Sequence, residues 1–178
     1  WDAFYSWPLN MIGKWQERLT IRQYQEVRFW TASSFTRSLL EEQGVQAVTQ
    51  IPYGVDTRAL KDLPEKELDE PLKLITVSRL APNKQVDHAI YALKILQEEH
   101  DLEGCLKIVG KGQEKGALSQ LVKELGLQDS VTFVGAISDS EKEEALQQAH
   151  FLLHTSVREG WGLNVVEANA MGTPAIVY

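Results

Sequence analysis

Leu72-Lys73-Leu74-Ile75-Thr76-Val77-Ser78 is a β-rich apolar run, and Val86, Ala89, Ile90, Leu93 and Leu96 follow it at three- and four-residue steps. The run reads as a strand, and the recurring residues lie on one face of a helix of roughly four turns. The alternation then continues. Strands are predicted at 105–109, 131–134, 151–155 and 174–178, with helices at about 113–125, 139–149 and 162–171. Strands that read as continuous apolar runs are buried on both faces, and their alternation with helices makes the sheet parallel. Residues 72–178 therefore form a doubly wound, Rossmann-like α/β domain. In such a domain ligands bind beyond the carboxyl ends of the strands, which directs attention to the loops after Val77, Val109, Val134 and Thr155.

The residues before this domain read differently. A tryptophan-rich amphipathic segment, Trp1 to about Val27, precedes a strand at 28–32, a helix at about 35–43 and a strand at 47–51. Ser33 or Ser34 is a plausible helix cap, and Gly44 stops the helix. Pro52-Tyr53-Gly54-Val55-Asp56 breaks the pattern, and the charged stretch 61–71 has no core periodicity. Three parts are expected: 1–51 as the tail of one α/β unit, 52–71 as a connection, and 72–178 as the next unit. Trp1 in place of Met, and a chain that stops at Tyr178 within an apolar strand, suggest a piece of a longer protein.

The 178 residues are 43% hydrophobic and 24% charged, which is ample for a buried core. A formal net charge of −7 argues against a nucleic-acid partner, since phosphate-backbone binding needs a basic surface. The single cysteine, Cys105, lies in an apolar run and is expected to be a buried strand residue; no disulfide framework can form, and a reducing, cytoplasmic setting is expected. No stretch approaches the roughly 18 apolar residues of a membrane span.

Two constellations carry candidate chemistry. After the first strand come Arg79 and Lys84, two cations five residues apart in the turn before a helix. They could hold a diphosphate, Arg79 bidentately and Lys84 as a point charge, helped by the helix dipole. Spacing alone also allows two solvated loop cations. The second constellation is Arg158-Glu159-Gly160-Trp161-Gly162-Leu163-Asn164-Val165-Val166-Glu167. Here Glu159 lies in a loop and Glu167 about one turn into a helix, both expected to face the crevice. Carboxylates accept hydrogen bonds from paired hydroxyls, so a sugar and a ribose would satisfy them, with amides from Gly162 to Asn164 meeting the phosphates between. A surface glutamate plus a solvated helical one fits the spacing too.

Weaker signals are Gly110-Lys111-Gly112, which fits a phosphate-cradling turn or any strand-to-helix turn, and His150 and His154, about 13 Å apart along a strand face. With no ligand-spaced partners for His88 or His100 either, no metal site is expected. Trp1, Trp7 and Trp15 would face either a membrane or, as we expect, another part of the protein.

Taken together, the chain resembles glycosyltransferase family 4, the group 1 glycosyltransferases of GT-B fold, in which two Rossmann-like domains face each other across a cleft. The resemblance rests on Ile51-Pro52-Tyr53-Gly54-Val55-Asp56, Val77-Ser78-Arg79-Leu80 through Lys84, Ile108-Val109-Gly110-Lys111-Gly112, Phe133-Val134-Gly135, and Glu159 through Pro174. It implies a retaining, metal-independent hexosyltransferase without a cofactor. It also implies that Arg79 and Lys84 grip the donor diphosphate, Glu159 contacts the transferred sugar as the catalytic residue, and Glu167 holds the ribose. Leu163 and Asn164 would offer amides, and the backbone near Ile137 would meet the base. Residues 1–51 would end the acceptor-side domain. The partners implied are a nucleotide-diphosphate sugar and an acceptor glycan, lipid or small molecule, with peripheral membrane contact through the rest of that domain. Gln85 departs from the glycine or asparagine usual after the lysine. Nucleotide-sugar epimerases and phosphorylases share the fold, and a non-catalytic nucleotide-sugar-binding module is a further alternative.

Overall fold

The computed structural model describes residues 7–54, 66–69, 71–157, 159 and 161–177. Trp1, Val55, Asp56, the stretch 61–65, Arg158, Gly160 and Tyr178, all used above, lie outside the described residues. Two compact units divide at Gly54.

In the first unit, helix α1 (Leu9–Gln23) precedes strand β1 (Phe29–Thr31), helix α2 (Ser34–Glu42) and strand β2 (Val48–Gln50). The strands pair in parallel, Phe29 opposite Val48 and Thr31 opposite Gln50. Of the two candidate caps it is Ser33 that serves: its extended backbone turns the hydroxyl toward the Thr36 amide, which donates to it at 3.1 Å. Trp7 and Trp15 are 76% and 65% exposed, and no described helix is long and apolar enough to cross a membrane.

The second unit holds strand β3 (Leu72–Val77), helix α3 (Val86–Glu99), strand β4 (Gly104–Val109), helix α4 (Lys115–Glu124) and strand β5 (Val131–Gly135). It continues with helix α5 (Asp139–Gln148), strand β6 (Phe151–His154), helix α6 (Leu163–Ala170) and strand β7 (Ala175–Val177). The strands form one parallel sheet in the order β5-β4-β3-β6-β7. Because successive strand residues point to opposite faces, Leu74 and Ile75 seed two cores. Leu74, Leu106 and Ile108 pack with Ile90 and Leu93 of α3 and Leu118 and Val122 of α4. Ile75, Val109 and Leu152 pack with Ala145 and Leu146 of α5 and Ala168 of α6. Helices thus cover both faces, as the unbroken apolar strands require.

Two expectations need adjusting. Cys105 is only half-buried, because its place in β4 alternates with the fully buried Leu106 and Ile108. The connection lacks core periodicity, yet Lys66 within it is anchored: its ammonium donates to the Ala149 carbonyl at 2.7 Å and to Thr173 Oγ1, near the last turn of α5. Burial pushes the Lys66 ammonium pKa down.

The strand order locates the site. From β3 the chain winds outward through β4 to β5, then returns to place β6 on the other side of β3. The strand order thus reverses between β3 and β6, and in open parallel sheets the loops at the carboxyl ends of strands flanking such a reversal are where ligands bind.

Candidate functional site

The loop after β3 carries Arg79 and Lys84; the loop after β6 carries Glu159. Hydrogen bonds join the two loops. Thr155 Oγ1 donates to the Lys84 carbonyl at 2.9 Å, the Val157 amide to the Asn83 carbonyl at 3.1 Å, and Asn164 Nδ2 to the Val77 carbonyl at 2.6 Å. Asn164, expected to contribute its backbone amide, uses its side chain to fasten the start of α6 to the end of β3.

Across this seam Lys84 forms an ion pair with Glu159. The side chains are 12% and 27% exposed. Partial burial works against ionisation of Glu159, but hydrogen bonds from Lys84 and Ser156 and the Lys84 charge outweigh it and hold the carboxyl below its usual pKa. His154 Nε2 stands 3.8 Å from the same carboxylate oxygen, and burial keeps that imidazole below its ordinary pKa. The two histidines read from the sequence thus have separate carboxylate neighbours: His150 Nε2 lies 3.2 Å from Asp69 Oδ1, while its Nδ1 accepts from the Lys73 amide at 3.2 Å.

The remaining expected residues are more dispersed. Arg79 is exposed on its loop and Leu163 is 41% exposed at the start of α6. Ile137, between β5 and α5, packs on the core face that includes Ile75 and Leu152. Glu167 is half-buried on α6 and pairs with Lys142 of α5 at 3.0 Å instead of facing open crevice alone. Lys142 was not among the sequence candidates. The signal that could have found it is Ser138-x-x-Glu141, a capping box that starts α5 and so sets which residue follows at the helix mouth.

The Gly110-Lys111-Gly112 turn has a structural explanation. A Cβ on Gly110 would come 1.8 Å from the Ser78 carbonyl oxygen, and one on Gly112 would come 2.1 Å from that of Leu80. Both glycines let this turn lie against the loop that bears Arg79. The Ser78 amide donates to Val109 and the Leu80 amide to Lys111, each at 3.0 Å.

Gln85 sits between Lys84 and α3 with φ 43° and ψ 48°, in the left-handed region. That conformation explains why glycine or asparagine would suit the position. Its Oε1 is also buried without a hydrogen-bond partner among the described residues. Gln85→Gly is therefore expected to stabilise the protein by about 0.5–1 kcal/mol. Urea denaturation reads this directly, and a midpoint that fails to rise would refute the strain.

Residues 60–178 match the family of glycosyl transferases group 1. The chain belongs to that family. The MMP α-(1→4)-mannosyltransferase of Mycolicibacterium hassiacum is 27% identical over 177 residues, covering 96% of this chain and 42% of the relative. The UDP-N-acetylglucosamine--peptide N-acetylglucosaminyltransferase GtfA subunit of Streptococcus gordonii is 34% identical over 183 residues, covering all of this chain and 33% of the relative. The chain thus spans less than half the length of either. The pneumococcal O-GlcNAc transferase GtfA, solved with UDP and GlcNAc, superposes with a TM-score of 0.74 at 24% identity, over 90% of this chain and 32% of that one. The Lys84–Glu159 pair of the second unit lies between the carboxyl ends of β3 and β6, at the point where the strand order reverses.

Proposed function

We propose that this protein is a retaining, metal-independent glycosyltransferase of family 4, moving a hexose from a nucleotide-diphosphate sugar to an acceptor glycan, lipid or small molecule. The observation that carries the reading is the Lys84–Glu159 pair at the switch point between β3 and β6. It joins a cation suited to phosphate and a carboxylate suited to sugar hydroxyls at the seam between the two loops. UDP in the pneumococcal GtfA structure supports a nucleoside diphosphate as donor core.

In this reading the donor diphosphate competes with Glu159 for Lys84. Arg79 approaches from the same loop. As the bond between the anomeric carbon and the diphosphate oxygen breaks, negative charge grows on the leaving diphosphate; the acceptor hydroxyl oxygen bonds to that carbon and its proton passes to the departing diphosphate. Arg79, Lys84 and the Leu163 and Asn164 amides at the start of α6 stabilise it there, which favours the transition state over the bound donor. Glu159, released from Lys84, accepts hydrogen bonds from the sugar. Glu167 accepts the ribose hydroxyls, and the backbone near Ile137 meets the base. The first unit belongs to the acceptor side. No cofactor takes part, and the half-buried single thiol of Cys105 fits a reducing, cytoplasmic location.

Calorimetric titration with UDP, GDP and their nucleosides tests the diphosphate clamp. Arg79→Ala and Lys84→Ala should each weaken the diphosphate by about 1.5–3 kcal/mol and leave the nucleosides nearly unchanged. Lys84→Ala should be the costlier, because it also leaves the Glu159 carboxylate uncovered beside the phosphates. Equal losses for nucleoside and diphosphate would remove both residues from the clamp.

A further inference from the structure

Glu167 is not held by its own helix alone. Its Oε1 lies 3.0 Å from the Lys142 ammonium, which reaches over from α5 and also stands 3.1 Å from Asp139 Oδ1. The environments of the two carboxylates differ sharply. Asp139 is 93% exposed, whereas Lys142 and Glu167 are 20% and 21% exposed, so the pair with Glu167 is the one shielded from solvent. Burial works to lower the lysine pKa, and hydrogen bonds and attraction from Glu167 and Asp139 outweigh it, leaving the ammonium held above its ordinary value.

The position of Lys142 is itself fixed. The Ser138 amide donates to Glu141 Oε2 at 2.8 Å and the Glu141 amide to Ser138 Oγ at 3.3 Å, so the first turn of α5 is pinned one residue before Lys142. Helices α5 and α6 pack on the same sheet face, each contributing to the core around Ile75 and Leu152. The ammonium thus links two helices whose relative placement is already set by packing.

A glutamate side chain has three rotatable bonds, and recognition of a vicinal diol requires its carboxylate plane in one orientation. An ammonium fixed on one oxygen removes that freedom while leaving the other oxygen, and the second lone pair of the first, as acceptors. We propose that Lys142 is a positioning residue for the donor site, orienting the Glu167 carboxylate so that it selects ribose by its paired hydroxyls. The proposal rests on the reading of Glu167 as the ribose acceptor. It deepens that reading by naming the group that gives the acceptor its geometry.

The test compares affinities for UDP, GDP and ADP with those for their 2′,3′-dideoxy counterparts in the wild-type chain, Lys142→Met, Lys142→Arg and Glu167→Gln. Melting curves accompany each variant. Lys142→Met should weaken the tightest-binding ribonucleotide about tenfold, in the range of a charge-assisted hydrogen bond, and leave the dideoxy form unchanged. Lys142→Arg, which can still donate to Glu167, should restore most of the preference and guards against a merely unfolded methionine variant. Glu167→Gln should reduce the same preference, and adding Lys142→Met to it should have little further effect, as expected for two residues acting as a unit. Equal weakening of the ribose and dideoxy forms by Lys142→Met overturns the proposal and makes Lys142 a phosphate or packing contact. A preference that persists in Glu167→Gln overturns the ribose role of Glu167 itself, as does a wild-type chain that binds none of the three diphosphates.

Discussion

Glu159→Ala is expected to reduce sugar transfer by the full-length protein about 10²–10³-fold, the scale seen when a group that acts at the reacting centre is removed. Nucleoside diphosphate affinity should not fall with it. Glu159 pairs with Lys84, so its removal frees that cation for phosphate, and affinity for the diphosphate should hold or rise. The opposite signs are informative. Glu167→Ala, in contrast, should weaken the free nucleotide and the donor together, because it removes a ribose contact present in both. Single-turnover rates and calorimetry on the same preparations separate the two effects. Near-normal turnover in Glu159→Ala, or a loss of nucleotide affinity that matches its loss of rate, would take Glu159 away from the sugar.

Much of this site was legible because its parts depend on local pattern. The apolar run at Leu72–Val77 and the helical spacing from Val86 to Leu93 are decided by periodicity, and the structure places a buried strand and helix there. Arg79, Lys84 and Glu159 stand out in the sequence as charged residues in loops after predicted strands, with their roles implied by the resemblance, and the structure pairs two of them, Lys84 and Glu159. The strand order was not legible in the same way. That β6 lies beside β3 is a long-range choice, and the pairing of Lys84 with Glu159, 75 residues apart in sequence, follows from it. Gln85 was visible as an unusual residue, but its left-handed backbone is a product of the turn joining Lys84 to α3. Lys142 went unseen because a lysine on an exposed helix start is ordinary until α6 brings Glu167 within 3.0 Å. The glycines at 110 and 112 fit either a phosphate-cradling or an ordinary strand-to-helix turn in the sequence, and only the approach of the neighbouring loop reveals what excludes a side chain there.

That approach makes Gly110→Ala the substitution with the largest expected effect on stability. The added Cβ would sit 1.8 Å from the Ser78 carbonyl oxygen and 2.9 Å from its carbon, both backbone atoms with no side-chain freedom to yield. Gly110 also has φ 137°, a backbone that a residue with a Cβ adopts only under strain. The loop cannot simply swing away. It is held by the Ser78 amide on Val109, the Leu80 amide on Lys111 and the Gly110 amide on Gly135, at 2.7–3.0 Å, and these bonds continue the β3-β4-β5 ladder into the crevice. Clash and lost hydrogen bonds together should cost on the order of 3 kcal/mol or more, placing the variant among the severe ones. For a protein of this size that lowers Tm by roughly 6–12 °C. Because the displaced loop carries Arg79, affinity for a nucleoside diphosphate should fall in whatever fraction remains folded. Gly116→Ala is the matched control: its Cβ meets nothing within 4 Å and it lies in the first turn of α4, so the same chemical change should be neutral or stabilise by up to about 0.5 kcal/mol through helix propensity. Thermal melts of the two variants side by side decide the matter. If Gly110→Ala melts with the wild type, the close approach of the two loops is not a feature of the folded protein, and the explanation of the glycine pair fails with it.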